Sequence, residues 1–386
     1  MRDSALAEFD VPVANTKLSV TRLRLSNFRS YAATSFDGDD RPVVLTGSNG
    51  AGKTNMLEAI SYLGPGRGLR QARLVDVDRR DGTGPWAVAA TVSGSAGPVE
   101  LGTGRDPSST RRAVRVNGAP ASGQSALADY VSIVWLTPQM DRLFLEGASA
   151  RRRFLDRLVF GFDSAHVSRV SAYEHAMRER LRLLKHGRRD DGWLSALEET
   201  MAGRGIAIAA ARREMAGRLA RACADAPGPF PPAGIAATGQ VEDWLDQGPA
   251  LAAEEALRQQ LASHRDADAE TGRTAVGPHR SDFAVRHLEK DMPAEQCSTG
   301  EQKALLIAVV LANARLQAAE RGAAPILLLD EVAAHLDGEK RRVLFEALLG
   351  LGVQAWLTGT DRQLFEEFGD RAQFYTVADA ALRPAA

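Results

Sequence analysis

Residues 46–54, TGSNGAGKT, combine glycines with a lysine and a threonine at a spacing that suits phosphate binding. The pattern G-x-x-x-x-G-K-[ST] is complete, filled by Gly47, Gly52, Lys53 and Thr54. Glycines let the backbone curl so that successive N–H groups point at an anion, and a helix beginning near Lys53 adds its free N-terminal N–H groups. Lys53 would neutralise phosphate charge, and the Thr54 hydroxyl would bind Mg²⁺. We therefore expect a triphosphate to contact the whole loop: Gly47, Ser48, Asn49, Gly50, Ala51, Gly52, Lys53 and Thr54.

An acidic pair follows the apolar run in PILLLDE, residues 325–331. Such a run is typical of a central parallel strand buried on both faces, with its carboxyl end at the ligand crevice. Asp330 would then help to hold Mg²⁺, and Glu331 would orient and deprotonate an attacking water. An acidic pair after a strand is common by itself, so this prediction depends on the glycine loop.

Between these two segments lies CSTGEQKALLIAVVLANARL, residues 297–316. Ser298 and Glu301 have the S-x-x-E spacing of a capping box in front of a long apolar helix. The same capped entry leaves backbone N–H groups that favour an anion. Helix capping and anion binding are compatible interpretations of this segment.

Length, charge and cysteine content limit the class of protein. The 386 residues are enough for two to three domains. With 48 basic and 49 acidic side chains the net charge is −1, which excludes a globally basic nucleic-acid binder but not local basic patches. Cys223 and Cys297 lack the spacing of a zinc site or a disulfide framework and favour a reducing compartment. The sequence shows neither a membrane-length apolar run nor a secretion signal, so we expect a cytoplasmic protein.

The pattern of apolar residues changes twice along the chain. Residues 18–46 and 87–136 have short strand-like segments, whereas residues 149–265 are rich in Ala, Leu, Arg and Glu and are helical in composition. From GPHRSDF at 277–283 onward, strand and helix patterns alternate again. The first and last thirds of the chain are therefore predicted to form one α/β domain, with a helical segment inserted between them.

The order of these motifs resembles that of ABC-type ATPases. The resemblance is closer to the RecF family, bacterial recombination mediators related to the SMC proteins, and runs from Leu18 to Asp361. The segments that carry it are LRLSNFRSY at 23–31, GSNGAGKTNMLEAI at 47–60, RRRFLD at 151–156, GPHRSDF at 277–283 and STGEQKALLIAVVLA at 298–312. It implies an ABC-type ATPase head, a P-loop NTPase with a mixed sheet flanked by helices, and an inserted helical second lobe. The implied division is a flexible extension at 1–16, the first part of lobe I at 17–145, helical lobe II at 146–272, and completion of the ATPase lobe at 273–386.

The resemblance assigns further roles to residues. ATP and Mg²⁺ are the implied cofactors, Lys53 and Glu331 are catalytic, and Thr54, Asp330 and Gln139 hold the metal. Gln139 would be the Q-loop glutamine, although a turn residue after Pro138 explains it equally well. The signature that closes over the nucleotide of a partner copy comprises Ser298, Thr299, Gly300, Glu301 and Gln302. The D-loop comprises Ala334, His335, Leu336 and Asp337.

The chain departs from the ABC pattern in ways that bear on turnover. Cys297 stands where such signatures have leucine, and Thr299 where they have glycine. AWLTGTDRQ at 355–363 lacks a switch histidine, so Thr358 or Thr360 is expected to contact phosphate instead. The missing histidine predicts slow hydrolysis, and the resemblance implies a weak, DNA-stimulated ATPase.

The resemblance implies a function in DNA repair. ATP would drive homodimerisation and clamping on duplex, gapped or junction DNA, hydrolysis would release it, and RecO and RecR would be partners in loading a recombinase at single-strand gaps. Candidate DNA contacts are Arg67, Arg70, Arg73, Arg79, Arg80, Arg111, Arg112, Arg151, Arg152 and Arg153, although arginine-rich stretches are more often solvated surfaces.

His279, Arg280 and Asp282 form either a catalytic cluster or, as we favour, a structural connection between lobes. The alternatives are a transporter-type ATPase subunit, which would need a membrane partner, and an ATP-gated clamp with negligible turnover.

Overall fold

A computed structural model describes residues 17–108, 111–185, 190–224 and 229–385. In chain order its strands are β1 Ser19–Phe28, β2 Tyr31–Asp37, β3 Val43–Thr46, β4 Ala87–Gly94, β5 Gly97–Arg105, β6 Arg112–Val116, β7 Ala119–Pro120, β8 Ile133–Leu136, β9 Ala233–Thr238, β10 Asp282–His287, β11 Met292–Pro293, β12 Ile326–Leu329, β13 Ala355–Gly359, β14 Gln373–Ala378 and β15 Ala381–Pro384. The helices are α1 Lys53–Ser61, α2 Ala148–Phe160, α3 Ala165–Lys185, α4 Asp191–Ala224, α5 Gln240–Gln247, α6 Ala250–Ser263, α7 Arg265–Thr271, α8 Thr299–Arg321 and α9 Gly338–Gly350.

A mixed sheet with the order β15-β14-β3-β13-β12-β8 contains the strands that precede the predicted nucleotide motifs. All of its neighbouring strands are parallel except the β14–β15 pair. Every residue of β3, β8, β12 and β13 is buried, as their continuous apolar sequences predict. Because parallel strands end at the same edge of a sheet, the segments after β3, β12, β13 and β8 meet there. The predicted fold class, an ATPase-type mixed sheet flanked by helices, is confirmed.

A second, antiparallel sheet has the order β2-β1-β4-β5-β6-β7 and shares a core with α1 and one face of the mixed sheet. Aromatic rings fill that core, with Phe28 meeting Trp86 edge to face at a centroid distance of 5.6 Å. This packing fixes the helix that follows the glycine loop between two sheets, and therefore fixes the orientation of the loop.

The helical segment contains one strand that composition did not predict. Residues 149–265 were expected to be helical, but β9 pairs antiparallel with β10, so the expectation is wrong at 233–238. Its partner strand lies more than forty residues further along the chain, with Asp282 opposite Thr238, so local composition carried no signal for it. β9, α2 and the second half of α4 belong to the same core as α8 and β12. The lobe boundaries at 145/146 and 272/273 stay a prediction.

A buried ion network ties three helices of this segment together. The fully buried Arg180 of α3 donates to Glu198 of α4 at 2.9 Å and to Asp268 of α7 at 2.6 Å. Both carboxylates are also buried, and Arg265 supplies the second positive charge by pairing with Glu198 at 2.5 Å. Among the described helices none is long and apolar enough to cross a bilayer.

Candidate nucleotide site

The glycine loop after β3 uses backbone conformations that favour glycine. Gly47, Gly50 and Gly52 have φ values of 151°, 83° and 114°, in the left-handed region. A Cβ atom on Gly47 would also lie 2.3 Å from the carbonyl oxygen of Val377 on β14. The loop therefore needs glycine at position 47 for two independent reasons, and α1 begins at Lys53 immediately after it.

Lys53 lies over the loop that it belongs to. Its buried ammonium donates to the carbonyl oxygens of Gly47 at 2.6 Å and Ser48 at 2.9 Å. Burial lowers the pKa of Lys53, and the negative charges of Glu331 and Asp330 partly offset this. The residue is thus held by two neutral carbonyls, which a phosphate oxyanion can replace as a stronger acceptor.

Asp330 joins the loop helix to the neighbouring strand. The Thr54 hydroxyl lies 3.0 Å from both carboxylate oxygens of Asp330, and the Thr358 hydroxyl donates to Oδ1 at 2.7 Å. Burial raises the pKa of Asp330, while both hydroxyl bonds act in the opposite direction. Thr54 and Asp330, predicted from segments 276 residues apart, are in direct contact.

Thr358 does not have the role that its sequence position indicated. Either Thr358 or Thr360 was expected to contact phosphate in place of a switch histidine, but Thr358 is only 1% exposed and its hydroxyl is used inside the protein. Besides donating to Asp330, the hydroxyl accepts the backbone N–H of Glu331 at 2.9 Å. Thr358 therefore positions the acidic pair, whereas Thr360 is exposed just beyond the end of β13.

Glu331, the predicted base, has a strained backbone. Its φ of 54° lies in the left-handed region, which a residue with a long side chain rarely adopts. The bond from its N–H to Thr358 helps to hold this conformation. Strain of this kind concentrates at functional sites, where it directs a side chain toward the reacting groups.

Residues near the start of the chain support the loop helix, and their roles were not predicted. Arg29 donates to the fully buried Glu58 of α1 through two bonds of 2.9 and 2.7 Å. The Tyr31 hydroxyl donates to the Gly52 carbonyl at 3.0 Å. Both belong to LRLSNFRSY, a segment that the resemblance included without assigning residue roles. They hold α1 against the turn between β1 and β2.

Gln139 lies in a short helix, Pro138–Arg142, directly after β8. Leu136 at the end of β8 pairs with Leu329 and accepts the N–H of Asp330 at 2.9 Å, so Gln139 follows at the same sheet edge and is exposed. In the same short helix Asp141 pairs with the buried Lys303 of α8 at 3.2 Å. This ion pair connects the segment carrying Gln139 to the helix of the predicted signature.

The capping box before α8 is confirmed. The Ser298 side chain accepts the Glu301 N–H, and the Glu301 carboxylate accepts the Ser298 N–H at 2.9 Å. Glu301 also pairs with Lys290, which together with these bonds lowers its pKa to about 2. Ser298, Thr299 and Gly300 are exposed. The prediction that Gln302 contacts a partner copy does not fit its position. Its side chain is buried and donates to the Cys297 carbonyl at 2.8 Å, so it shapes the loop and does not point outward.

The predicted D-loop is a short turn between β12 and α9. Ala334 and His335 are exposed, whereas Leu336 is buried in the core. Asp337 caps α9, accepting the Lys340 N–H at 2.8 Å. This segment thus combines an exposed first half with a second half that is fixed in the core and at the start of α9.

The arginines proposed as DNA contacts divide into two groups. Arg112 is not available to contact DNA, because its guanidinium is enclosed by the carbonyls of residues 62, 64 and 66 and lies over the Tyr62 ring. Arg151 is not available either, because it forms a bidentate ion pair with Asp282 at 2.7 and 2.8 Å. That pair supports the structural role favoured for Asp282. The arginines that remain exposed are Arg67, Arg70, Arg73, Arg80, Arg111 and Arg153, of which Arg70 also pairs with Glu58 and Arg73 with Asp76. Arg79 and Arg152 are half-buried.

Comparisons with known proteins identify the family of this chain. The family model described as RecF/RecN/SMC N terminal domain matches residues 19–381. DNA replication and repair protein RecF of Rhizobium rhizogenes is 51% identical over 370 residues, which cover 95% of this chain and 98% of the relative. The RecF protein of Mesorhizobium japonicum is 51% identical over 369 residues, covering 95% and 97%.

Solved structures share the fold. The recombination mediator protein RecF solved with ATPrS superposes with a TM-score of 0.83 at 21% identity, covering 96% of this chain and 99% of that one. An Smc head domain from Pyrococcus furiosus gives a TM-score of 0.52 at 14% identity, covering 95% and 96%. With a family model spanning most of the chain and half of all positions identical to named relatives over nearly their full length, this protein belongs to the RecF family.

Proposed function

We propose that the protein is an ATP-dependent DNA-binding ATPase of recombinational repair. The observation that carries the proposal is that the Thr54 and Thr358 hydroxyls both bond to the Asp330 carboxylate beneath a left-handed glycine loop. This arrangement joins a phosphate cradle to a metal-binding carboxylate at one sheet edge. Similarity to DNA replication and repair proteins, and to a recombination mediator protein of the RecFOR pathway, supports the choice of process.

The residues present fit ATP with Mg²⁺. Hydroxyl and carboxylate oxygens are the ligands that Mg²⁺ prefers, and those of Thr54 and Asp330 already lie 3.0 Å apart. When bound, the metal neutralises charge on the β and γ phosphates. Lys53 would exchange its two carbonyl partners for phosphate oxygens, and Glu331 would orient water and accept its proton. Gln139 is proposed as a further contact at this edge.

We further infer that two copies of the chain enclose the nucleotide. Ser298 and Gly300 are exposed at the capped start of α8, where open backbone N–H groups favour an anion. Each charge-assisted hydrogen bond to a γ-phosphate contributes about 1.5 to 3 kcal/mol, so a few bonds across an interface are enough to drive dimerisation. The exposed D-loop residues would lie at the same interface. Hydrolysis removes these bonds and releases the dimer.

The test is mass by light scattering, with and without ATP and Mg²⁺. We expect the wild-type protein to become dimeric with ATP, Lys53→Ala to stay monomeric, and Glu331→Gln to stay dimeric because ATP persists. Arg258→Ala, an exposed change on α6, is the matched control and should behave as wild type. A wild-type protein that remains monomeric at saturating ATP refutes the enclosed-nucleotide mechanism.

DNA binding is proposed to be dominated by the phosphate backbone and to require ATP. Two copies would bring two sets of exposed arginines together, which makes affinity steeply dependent on salt. RecO and RecR are the proposed protein partners in loading a recombinase at gaps. Equal affinity for duplex DNA with and without ATP would contradict the coupling.

An ATP-gated clamp with negligible turnover is the second candidate. Thr358 is used to position Asp330, so the end of β13 lacks the group that a switch histidine supplies in transporter ATPases. The steady-state rate of phosphate release, with and without DNA, separates the two. A rate that Glu331→Gln does not lower would favour the clamp.

A further inference from the structure

A cleft of about 490 Å³ lies between α2, α3, α4 and the loop of residues 272–280. It is separate from the glycine loop, and it is lined by parts of two motifs, RRRFLD and GPHRSDF, that the nucleotide site does not use. Its arginines are Arg152, Arg153, Arg212, Arg273 and Arg280. We call this region the arginine cleft.

The arginine cleft has more positive than negative charge. Its acidic residues are Asp156 and Glu174. The charge of Asp156 is neutralised by the buried Arg212, which donates two hydrogen bonds of 2.8 Å to the carboxylate. Glu174 pairs with Arg178 outside the cleft, at 3.7 Å. Within the described part of the chain, the other cleft arginines have no carboxylate within ion-pair distance: Arg152, Arg153, Arg273 and Arg280.

Like charges are close together at the inner end. Arg152 donates to the Ser281 carbonyl at 2.6 Å and is only half-exposed. Burial lowers its pKa, and the positive charge of Arg212 lowers it further. Guanidinium groups that outnumber the nearby carboxylates are stabilised by an oxyanion, which they bind with strong, often bidentate bonds.

The loop of residues 272–280 is rigidly built. The Tyr173 hydroxyl donates to Nδ1 of His279 at 2.7 Å, so Nε2 bears the proton that it donates to the Thr274 carbonyl at 2.9 Å. Burial lowers the pKa of His279 to about 4, which leaves it neutral at pH 7. Gly277 has a φ of 138°, and a Cβ there would lie 2.2 Å from the Tyr173 hydroxyl. His279 is therefore a positioning residue for this loop.

One polar group inside the cleft lacks a partner. Thr274 lines the cleft and is 2% exposed, and its hydroxyl makes no hydrogen bond within the described structure. A buried hydroxyl without a partner is unfavourable by about 1 to 3 kcal/mol. The Thr274 carbonyl, in contrast, accepts from Arg280 at 3.0 and 2.7 Å, which aims that guanidinium along the loop. An oxyanion in the cleft would give the arginines a charged acceptor in addition to such neutral carbonyls.

We propose that the arginine cleft is a second phosphate-binding site, which holds a phosphate of a nucleic-acid strand. The opposite wall, formed by the half-buried side chains of Val170, Met177 and Leu181, is apolar and suits an adjoining sugar or base. The proposal rests on the proposed DNA-binding function and assigns that function a location. A free nucleotide carries the same chemistry, so the experiment separates the two sources.

The experiment compares two double variants that lose equal charge. Arg153→Ala with Arg280→Ala removes two exposed cleft arginines, whereas Arg204→Ala with Arg258→Ala removes two exposed arginines outside the cleft. Binding of a labelled duplex oligonucleotide is measured by anisotropy with ATP and Mg²⁺ across a salt series. We expect the cleft variant to bind at least about tenfold more weakly, with the salt slope reduced by about two. The control variant should match wild type, and melting temperatures show that both are folded.

Each outcome decides a different statement. If the cleft variant binds duplex DNA with the same affinity and salt slope as wild type, the arginine cleft is not a DNA site, whereas the proposed function still stands. A wild-type protein that does not bind duplex DNA defeats the proposed function itself. The last arm uses labelled adenosine monophosphate with Lys53→Ala, in which the glycine loop is disabled. One-to-one binding that the two cleft substitutions abolish would identify a free nucleotide as the ligand and overturn the nucleic-acid assignment.

Discussion

Replacing Thr358 by valine removes one buried hydroxyl and keeps the side-chain shape. That hydroxyl donates to Asp330 at 2.7 Å and accepts the Glu331 N–H at 2.9 Å. A hydrogen bond to a charged group contributes about 2 kcal/mol, and an unsatisfied buried N–H costs about 1 kcal/mol. We therefore expect the free energy of unfolding at pH 7 to fall by about 3 kcal/mol.

The pH dependence follows from the direction of the Asp330 pKa. Burial raises this pKa and the hydroxyl bonds act to lower it, so Thr358→Val raises it further. The lost bond stabilises the carboxylate form. The stability difference between the variant and wild type should therefore be largest where Asp330 is charged, and should shrink as the pH falls through its folded pKa.

The assay is urea denaturation at several pH values, followed by the fluorescence of the buried Trp356 and the other tryptophans. Thr46→Val on the adjacent strand is the control, because the Thr46 hydroxyl makes only a neutral bond of 3.3 Å, to the Tyr375 carbonyl. We expect it to lose less than about 1 kcal/mol. A Thr358→Val protein as stable as this control at pH 7 would refute the positioning role.

Three further predictions concern other parts of the molecule. Because Glu331 has a φ of 54°, Glu331→Gly should be about 1 kcal/mol more stable than Glu331→Ala in urea denaturation, and equal stability would argue against strain. Burial acts to raise the pKa of Asp156, but Arg212 and other donors overcome it and leave the pKa at about 2, below its usual 3.8. The free energy of unfolding of wild type should therefore exceed that of Asp156→Asn by about 3 to 5 kcal/mol at pH values above the usual pKa of Asp156. This difference should decline as the pH falls toward 2, and a difference that does not change with pH would contradict the role of the ion pair. Arg112→Ala should lower stability by about 3 kcal/mol with no change in the salt slope of DNA binding, and a reduced slope would restore it as a DNA contact.

Local sequence was sufficient for features that depend on neighbouring residues. The glycine loop, the start of α1 and the capping box of Ser298 and Glu301 each form within a few residues, so their spacing determines their geometry. The buried strand before Asp330 was also recognisable, because burial on both faces requires a continuous apolar run. The fold class followed from the order of these segments and from the resemblance.

Sequence could not assign side chains whose partners lie far along the chain. Thr358 faces Asp330 only because β13 lies between β3 and β12 in the sheet. The strand at 233–238 exists because β10 pairs with it. Arginines that look alike in sequence also have opposite environments, since Arg112 is enclosed by carbonyls and Arg153 is exposed.

The sequence alone determined where the glycine loop and the capped start of α8 lie, since backbone curvature and helix capping are encoded by adjacent residues. Only the tertiary structure decided which groups orient the acidic pair and which arginines remain available to a ligand. Those outcomes depend on burial and on contacts between distant segments, and both arise only when the sheets and helices pack together.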